Sequence, residues 1–211
     1  MSAPTIVLLV RHGVTPTTGQ VLPGRAAGLH LSEQGLAQAA KVADRLEGLP
    51  LTALYTSPLE RTRETAAPTE ARFGLDVVGH DGLLECDFGA WTGAALTELA
   101  KLPAWQTVQK TPSEFRFPDG ESFQEMSDRI VGALEQIRTR HAGEVVACFS
   151  HADPIKAALA HALGTPLDAF QRIWVNPASV SVISYGPEGE VSVLATNTTT
   201  GSLIDLRPPS A

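Results

Sequence analysis

The run Leu9-Val10-Arg11-His12-Gly13 closes an apolar stretch, Ile6 to Val10. It places a guanidinium and an imidazole where a buried strand ends. A neutral imidazole can attack phosphorus, and a guanidinium can donate two hydrogen bonds to one phosphate. His12 is therefore a candidate nucleophile and Arg11 a candidate phosphate ligand. A second loaded position is Ser57 to Arg61, where Arg61 sits in the opening turn of a predicted helix, a place whose dipole favours anions. A third is Ser150-His151, after another apolar run, Val145 to Phe149. His151 can hydrogen-bond phosphoryl oxygens if held protonated beside them. A leaving oxygen also needs a proton, which a carboxyl can supply when burial raises its pKa. Glu85, Asp81 and Asp87 all qualify by position, and spacing does not choose among them. His30, His80, His141 and His161 read as bystanders.

The elements that must hold these groups alternate. Ile6 to Val10 is a strand. Ser32 caps a helix carrying Leu36, Ala39, Ala40, Ala43 and Leu46 on its apolar face. Ala53 to Thr56 is a short strand running into Ser57-Pro58, read as a cap followed by Pro at the first helical position; that helix ends near Gly74. Val77 and Val78 lie in a further short strand. Phe123, Met126, Ile130, Leu134 and Ile137 mark one face of a later helix, and Pro154 begins another that Gly164 ends. Thr165-Pro166 starts one more, and Val180 to Ser184 and Val191 to Thr196 are strands around Pro187-Glu188-Gly189.

Helices between apolar strands predict an α/β fold, three layers α/β/α around a mostly parallel central sheet. Ligands on such sheets sit beyond the carboxyl ends of the strands, and three such ends here carry the reactive residues. The 211 residues are read as a single domain, 1–211, with a lid-like insertion at about 87–120. Trp91, Trp105, Phe115 and Arg116 are its candidate wall residues.

Composition sets the class. A formal net charge of -7 with no basic run argues against nucleic acid as a partner. Cys86 and Cys148 lie far apart with no ligand-like spacing, so a disulfide scaffold is not expected. No stretch approaches the roughly 18 apolar residues that span a bilayer, and Met1 to Thr5 lacks the basic flank of a signal peptide. A cytoplasmic protein with no membrane partner is the expectation.

Six segments in order resemble the histidine phosphatase superfamily, the phosphoglycerate mutase-like fold. LVRHGVT at 9–15 resembles its opening motif, and LSEQGLAQ at 31–38 its "LTxxGxxQA" helix start. SPLERTRETA at 57–66 is similar to "SPLxRxxxTA", and LECDFGAWTG at 84–93 to "LxExxFGxWEG". PDGES at 118–122 is similar to a turn usually written PGGES, and Phe149-Ser150-His151 stands where a second catalytic histidine is found. The resemblance implies that His12 is phosphorylated, that Arg11, Arg61 and His151 bind the phosphoryl group, and that Glu85 is the acid. It favours Glu85 over Asp81 and Asp87; no cofactor is expected, and no metal, because the Arg and His cluster already supplies positive charge.

The resemblance further implies a phosphomonoester hydrolase working through phosphohistidine on a small phosphorylated metabolite. The alternatives are a phosphomutase, which returns the phosphoryl group to substrate, and a non-catalytic phosphate-ligand or partner-binding module. Relatives occur as monomers and homodimers, so either is expected.

The chain also departs from the family. Thr18 stands where an Asn often touches phosphate, and Pro23-Gly24-Arg25 only loosely matches "RxQG". Thr92 replaces the Glu of "WEG". Ala152 follows His151 where Gly is usual, and Asp153 comes next. Thr18 and Ala152 are candidate substrate contacts, and Arg25 and Arg116 candidate binders of a second anionic group. Asp153 is read as a cap for the helix at Pro154, since a carboxylate pointing inward would repel an anion. The Glu85 stretch looks more like the phosphatase branch than the glycolytic mutases. The run Ser-His-Ala-Asp-Pro-Ile-Lys also resembles a subgroup labelled actinobacterial phosphomutases.

Overall fold

The computed structural model describes residues 3–204; Met1, Ser2 and the polar tail Arg207 to Ala211 lie outside them. Six strands form one sheet in the order β3-β2-β4-β1-β5-β6. They are β1 (Thr5–Arg11), β2 (Leu51–Thr56), β3 (Val77–Gly79), β4 (Val145–Ser150), β5 (Val180–Tyr185) and β6 (Val191–Thr198). β1, β2, β3 and β4 run parallel, and β5 and β6 are antiparallel additions. The sheet is thus mixed but mostly parallel, as the alternating pattern predicts. Residues of β1 alternate between two cores. Val7 and Leu9 face one with Met126, Ile130, Ile155 and Leu159, whereas Ile6, Leu8 and Val10 face the other with Val42, Leu46 and Ala66. Burial on both faces is why this strand reads as an unbroken apolar run.

Helices α1 (Glu33–Leu46) and α2 (Glu60–Phe73) cover the second face; α5 (Phe123–Arg140) and α6 (Ala152–Ala162) cover the first. Two short helices, α3 (Leu96–Leu99) and α4 (Pro103–Lys110), lie in the 87–120 segment. Ser32 caps α1 as expected, accepting a hydrogen bond from the Gly35 amide. Ser122 and Glu125 form a reciprocal capping box on α5. Among the described residues no helix is long and apolar enough to cross a membrane.

Four local expectations are corrected. The buried face of α1 is Gly35, Ala39, Val42, Ala43 and Leu46, while Leu36 is half exposed. α2 starts at Glu60 after an uncapped Leu59, so Ser57 is not its cap. α6 starts at Ala152, two residues before Pro154; a Pro there removes nothing, because first-turn amides have no intrahelical partner. The segment after Thr165-Pro166 is a 3-10 helix, Leu167–Arg172.

Candidate active site

Parallel pairing aligns three strand ends. Arg11 on β1 is in register with Ser150 on β4, and Thr56 on β2 with Phe149. The loops beyond are tied crosswise: the His12 amide donates to the Ser150 carbonyl at 3.0 Å and the Ser57 amide to the Phe149 carbonyl at 2.9 Å. His12 and His151 therefore meet, their rings edge to face with centroids 5.2 Å apart. The backbone after His12 is wedged against α1. A Cβ at Gly13 would lie 2.7 Å from the Gly35 carbonyl oxygen, and one at Gly35 only 2.1 Å from that of Val14. Glycine at both positions allows this approach.

His12 is buried, and its Nδ1 lies 2.7 Å from the Gly13 carbonyl oxygen. A carbonyl only accepts, so Nδ1 carries the proton and Nε2 keeps its lone pair. Burial, then Arg61 and Arg11, push the imidazole down to about 3, so it is neutral at physiological pH. Gly13 is further held by its amide donating to Thr65 Oγ1 at 3.1 Å, and that hydroxyl donates to the Arg61 carbonyl at 2.7 Å.

Arg61 is fully buried. Its Nη2 donates to the Gly24 carbonyl at 2.8 Å, but Nε and Nη1 have no partner. Arg11 donates from Nη1 to the Val175 carbonyl at 2.6 Å and leaves its Nε unpaired. His151, also fully buried, meets Ser57 Oγ through Nε2 at 2.9 Å, with Nδ1 unpaired. Burial, followed by Arg61 and His12, holds its pKa well below the ordinary histidine value. Unpaired buried donors are costly, so this cluster is suited to an anion with several acceptor oxygens.

Glu85 is buried in the loop after a 3-10 turn, Asp81–Leu83, and its Oε1 accepts from the Cys86 amide at 3.0 Å. Burial, then the charge of Asp153, raises its carboxyl to about 7, against the Cys86 amide, Arg61 and Arg11. Its own carbonyl accepts from Arg25 Nε at 2.9 Å and Arg129 Nη2 at 3.2 Å. Arg129 also donates to the carbonyls of Gly82 and Leu84. Glu121 links both arginines, with its Oε1 2.8 Å from Arg25 Nη2 and 2.9 Å from Arg129 Nε.

His12, Arg11, Arg61, Glu85 and His151 thus form one electrostatically connected group. Thr18 lies apart from it, accepting from the Thr15 amide at 2.9 Å within a tight turn. Ala152 is the half-buried first residue of α6. Arg25 pairs with Glu121 and donates through Nε to the Glu85 carbonyl, while its Nη2 makes no hydrogen bond. Arg116 is exposed and ties to Glu125 and the Gly120 carbonyl. Asp81 is exposed, and Asp87 accepts from the Gly89 amide. Asp153 does not cap α6. His151 occupies the cap position, and Asp153, in the first turn, pairs with Lys156 at 3.2 Å. Trp91 stacks among Trp105, Phe115 and Phe117 rather than lining open space.

Ser57, read only as a cap, and Thr65, Glu121 and Arg129 are residues around the site whose contacts sequence reasoning did not anticipate. The first three lie inside the quoted motifs, but Arg129 carries no local signal.

Residues 7–198 match the family model described as histidine phosphatase superfamily (branch 1). The chain is 34% identical over 182 residues to phosphoserine phosphatase 1 of Hydrogenobacter thermophilus, covering 84% of this chain and 85% of that one. It is also 34% identical over 182 residues to a probable phosphoglycerate mutase GpmB of Cronobacter sakazakii, covering 85% and 84%. The solved structure of Bacillus stearothermophilus YhfR superposes with a TM-score of 0.84 at 26% identity, over 96% of this chain and 100% of that one.

Proposed function

The chain belongs to branch 1 of the histidine phosphatase superfamily, and from that premise we propose that it hydrolyses small phosphate monoesters through a phosphohistidine at His12. The observation that carries this reading is the His12 tautomer: Nδ1 is spent on the Gly13 carbonyl, and Nε2 stays free beside unpaired donors of Arg11 and Arg61. In the first step the Nε2 lone pair forms a bond to phosphorus as the ester P–O bond breaks. The leaving oxygen takes the proton of Glu85, whose carboxyl near 7 is still protonated in about half of the molecules at pH 7. The non-bridging oxygens accept from Arg11, Arg61 and His151. Their charge offsets the burial that keeps His151 neutral, so the imidazole can take up a proton as the substrate arrives. In the second step Glu85, now a carboxylate, accepts a proton from water as its oxygen attacks phosphorus. The N–P bond breaks, and phosphate leaves with His12 restored.

A relative named as a phosphoglycerate mutase supports a second reading, in which the phosphoryl group returns to substrate. The test compares wild type with His12→Asn on phenyl phosphate and 3-phosphoglycerate. Free phosphate and isomerised ester are measured together, and acid-labile phosphoprotein is trapped. Phosphate release and trapping, both lost in the variant, are expected. Isomerised ester with little release selects the mutase. Release unchanged in the variant overturns both.

A further inference from the structure

A cavity of about 160 Å³ is walled by Phe88, Trp105, Phe117 and Phe123, with Asp153 and Lys156 among its polar residues. Asp153 ties it to the chemistry, because its charge acts on both Glu85 and Arg11. Phe88 is three residues after Glu85, and Asp153 two after His151. Phe88 also packs on Gly24, whose carbonyl holds Arg61: a Cβ at Gly24 would lie 3.2 Å from the Phe88 ring. This volume holds about five waters, enough for a small alcohol.

The charges around it are asymmetric. Arg25 and Arg116, the two cations suited to a second anionic group, are engaged by Glu121 and Glu125. Lys156 is divided between Asp153 Oδ1 at 3.2 Å and Gln171 Oε1 at 3.1 Å. Asp153 Oδ2 accepts no hydrogen bond among the described residues. A carboxylate oxygen with room to bind, set among aromatic rings, is the environment that attracts an ammonium group. The same carboxylate penalises a second anion on the substrate.

We propose that this cavity is the leaving-group subsite and that it takes a small alcohol bearing an ammonium group, bound by Asp153. The inference rests on the hydrolase reading and narrows its substrate class to phosphate esters of small amino alcohols. Asp153 acts on specificity, and its removal shifts the preference among substrates of one size.

The test uses three esters of similar size and different leaving-group charge: O-phosphoethanolamine, propyl phosphate and 2-phosphoglycolate. Phenyl phosphate reports activity independently of that charge. For each enzyme the kcat/KM of O-phosphoethanolamine is divided by that of 2-phosphoglycolate, a ratio that cancels any inactive fraction of a variant. Wild type is expected to prefer the amine. Asp153→Asn should lower the ratio at least about tenfold, the scale of one lost charge contact. Lys156→Gln, which frees Asp153 from its internal partner, should raise it. A wild-type preference for 2-phosphoglycolate, or a ratio unmoved by Asp153→Asn, overturns the inference while leaving the hydrolase reading standing. Both variants moving the ratio in one direction does the same. No turnover of any ester, phenyl phosphate included, overturns both.

Discussion

Replacing Glu85 with Gln should stabilise the protein at alkaline pH while disabling it. The substitution keeps the size and an oxygen to accept from the Cys86 amide, the bond Glu85 makes at 3.0 Å, and it removes only the charge. The carboxyl stands at 4.5 when exposed and at about 7 in the folded chain. Below 4.5 it is protonated in both states and contributes nothing to the pH dependence. Between 4.5 and 7 the unfolded chain releases the proton and the folded one retains it, so stability falls as pH rises. Above 7 both states are ionised and the loss is complete. At about 1.4 kcal/mol per pKa unit, ionised Glu85 costs the wild type about 3 kcal/mol at pH 8. Urea denaturation of both proteins at pH 4.5, 6 and 8 measures this directly. Because His12 and His151 titrate in both proteins, the difference between them isolates Glu85. Glu85→Gln should match wild type at the lowest pH and exceed it by about 2–3 kcal/mol at the highest, with kcat reduced about 100- to 10,000-fold. A difference that does not change with pH would refute the assigned environment of this carboxyl.

Two further outcomes follow from contacts around the site. Gly35→Ala puts a Cβ 2.1 Å from the Val14 carbonyl oxygen, so the loop bearing His12 must shift. A loss of about 1–3 kcal/mol in urea denaturation, with reduced kcat on phenyl phosphate, is expected, and a neutral variant would contradict the close packing. Glu121→Gln leaves Arg25 and Arg129 without their shared carboxylate, so the Glu85 loop loosens and its carboxyl gains water. The alkaline limb of the kcat profile should then move to lower pH while product inhibition by phosphate holds; an unmoved limb would show that Glu121 does not position Glu85.

His12, Arg61 and His151 could be found from sequence because each follows a recognisable strand, and parallel sheets gather such ends. Glu85 needed the motif resemblance, since Asp81 and Asp87 share its neighbourhood and only burial separates them. Asp153 was misread because Pro is equally comfortable anywhere in a first helical turn, which hid the true start of α6 and the direction of its neighbour. Ser57 looked like a cap because Pro58 follows it, yet Leu59 stays extended and the Ser57 hydroxyl turns to His151. The carboxylate partners of Arg25 and Arg116, Glu121 and Glu125, were not legible because distant segments or a turn bring them in. Arg129 is legible in no local pattern, because all its backbone acceptors lie more than 40 residues away.

The strand order has a consequence for synthesis. β1 runs directly into His12, yet its two sheet neighbours arrive late: Leu9 pairs with Cys148 on one side and Ser181 on the other. A nascent chain must therefore extend by about 140 residues before the first neighbour exists. At 5–20 residues per second, that is roughly 7–30 seconds on the ribosome. During that interval Ile6 to Val10 is an unpaired apolar segment, the kind of edge on which aggregation starts. Pairing of this strand therefore waits on synthesis of β4.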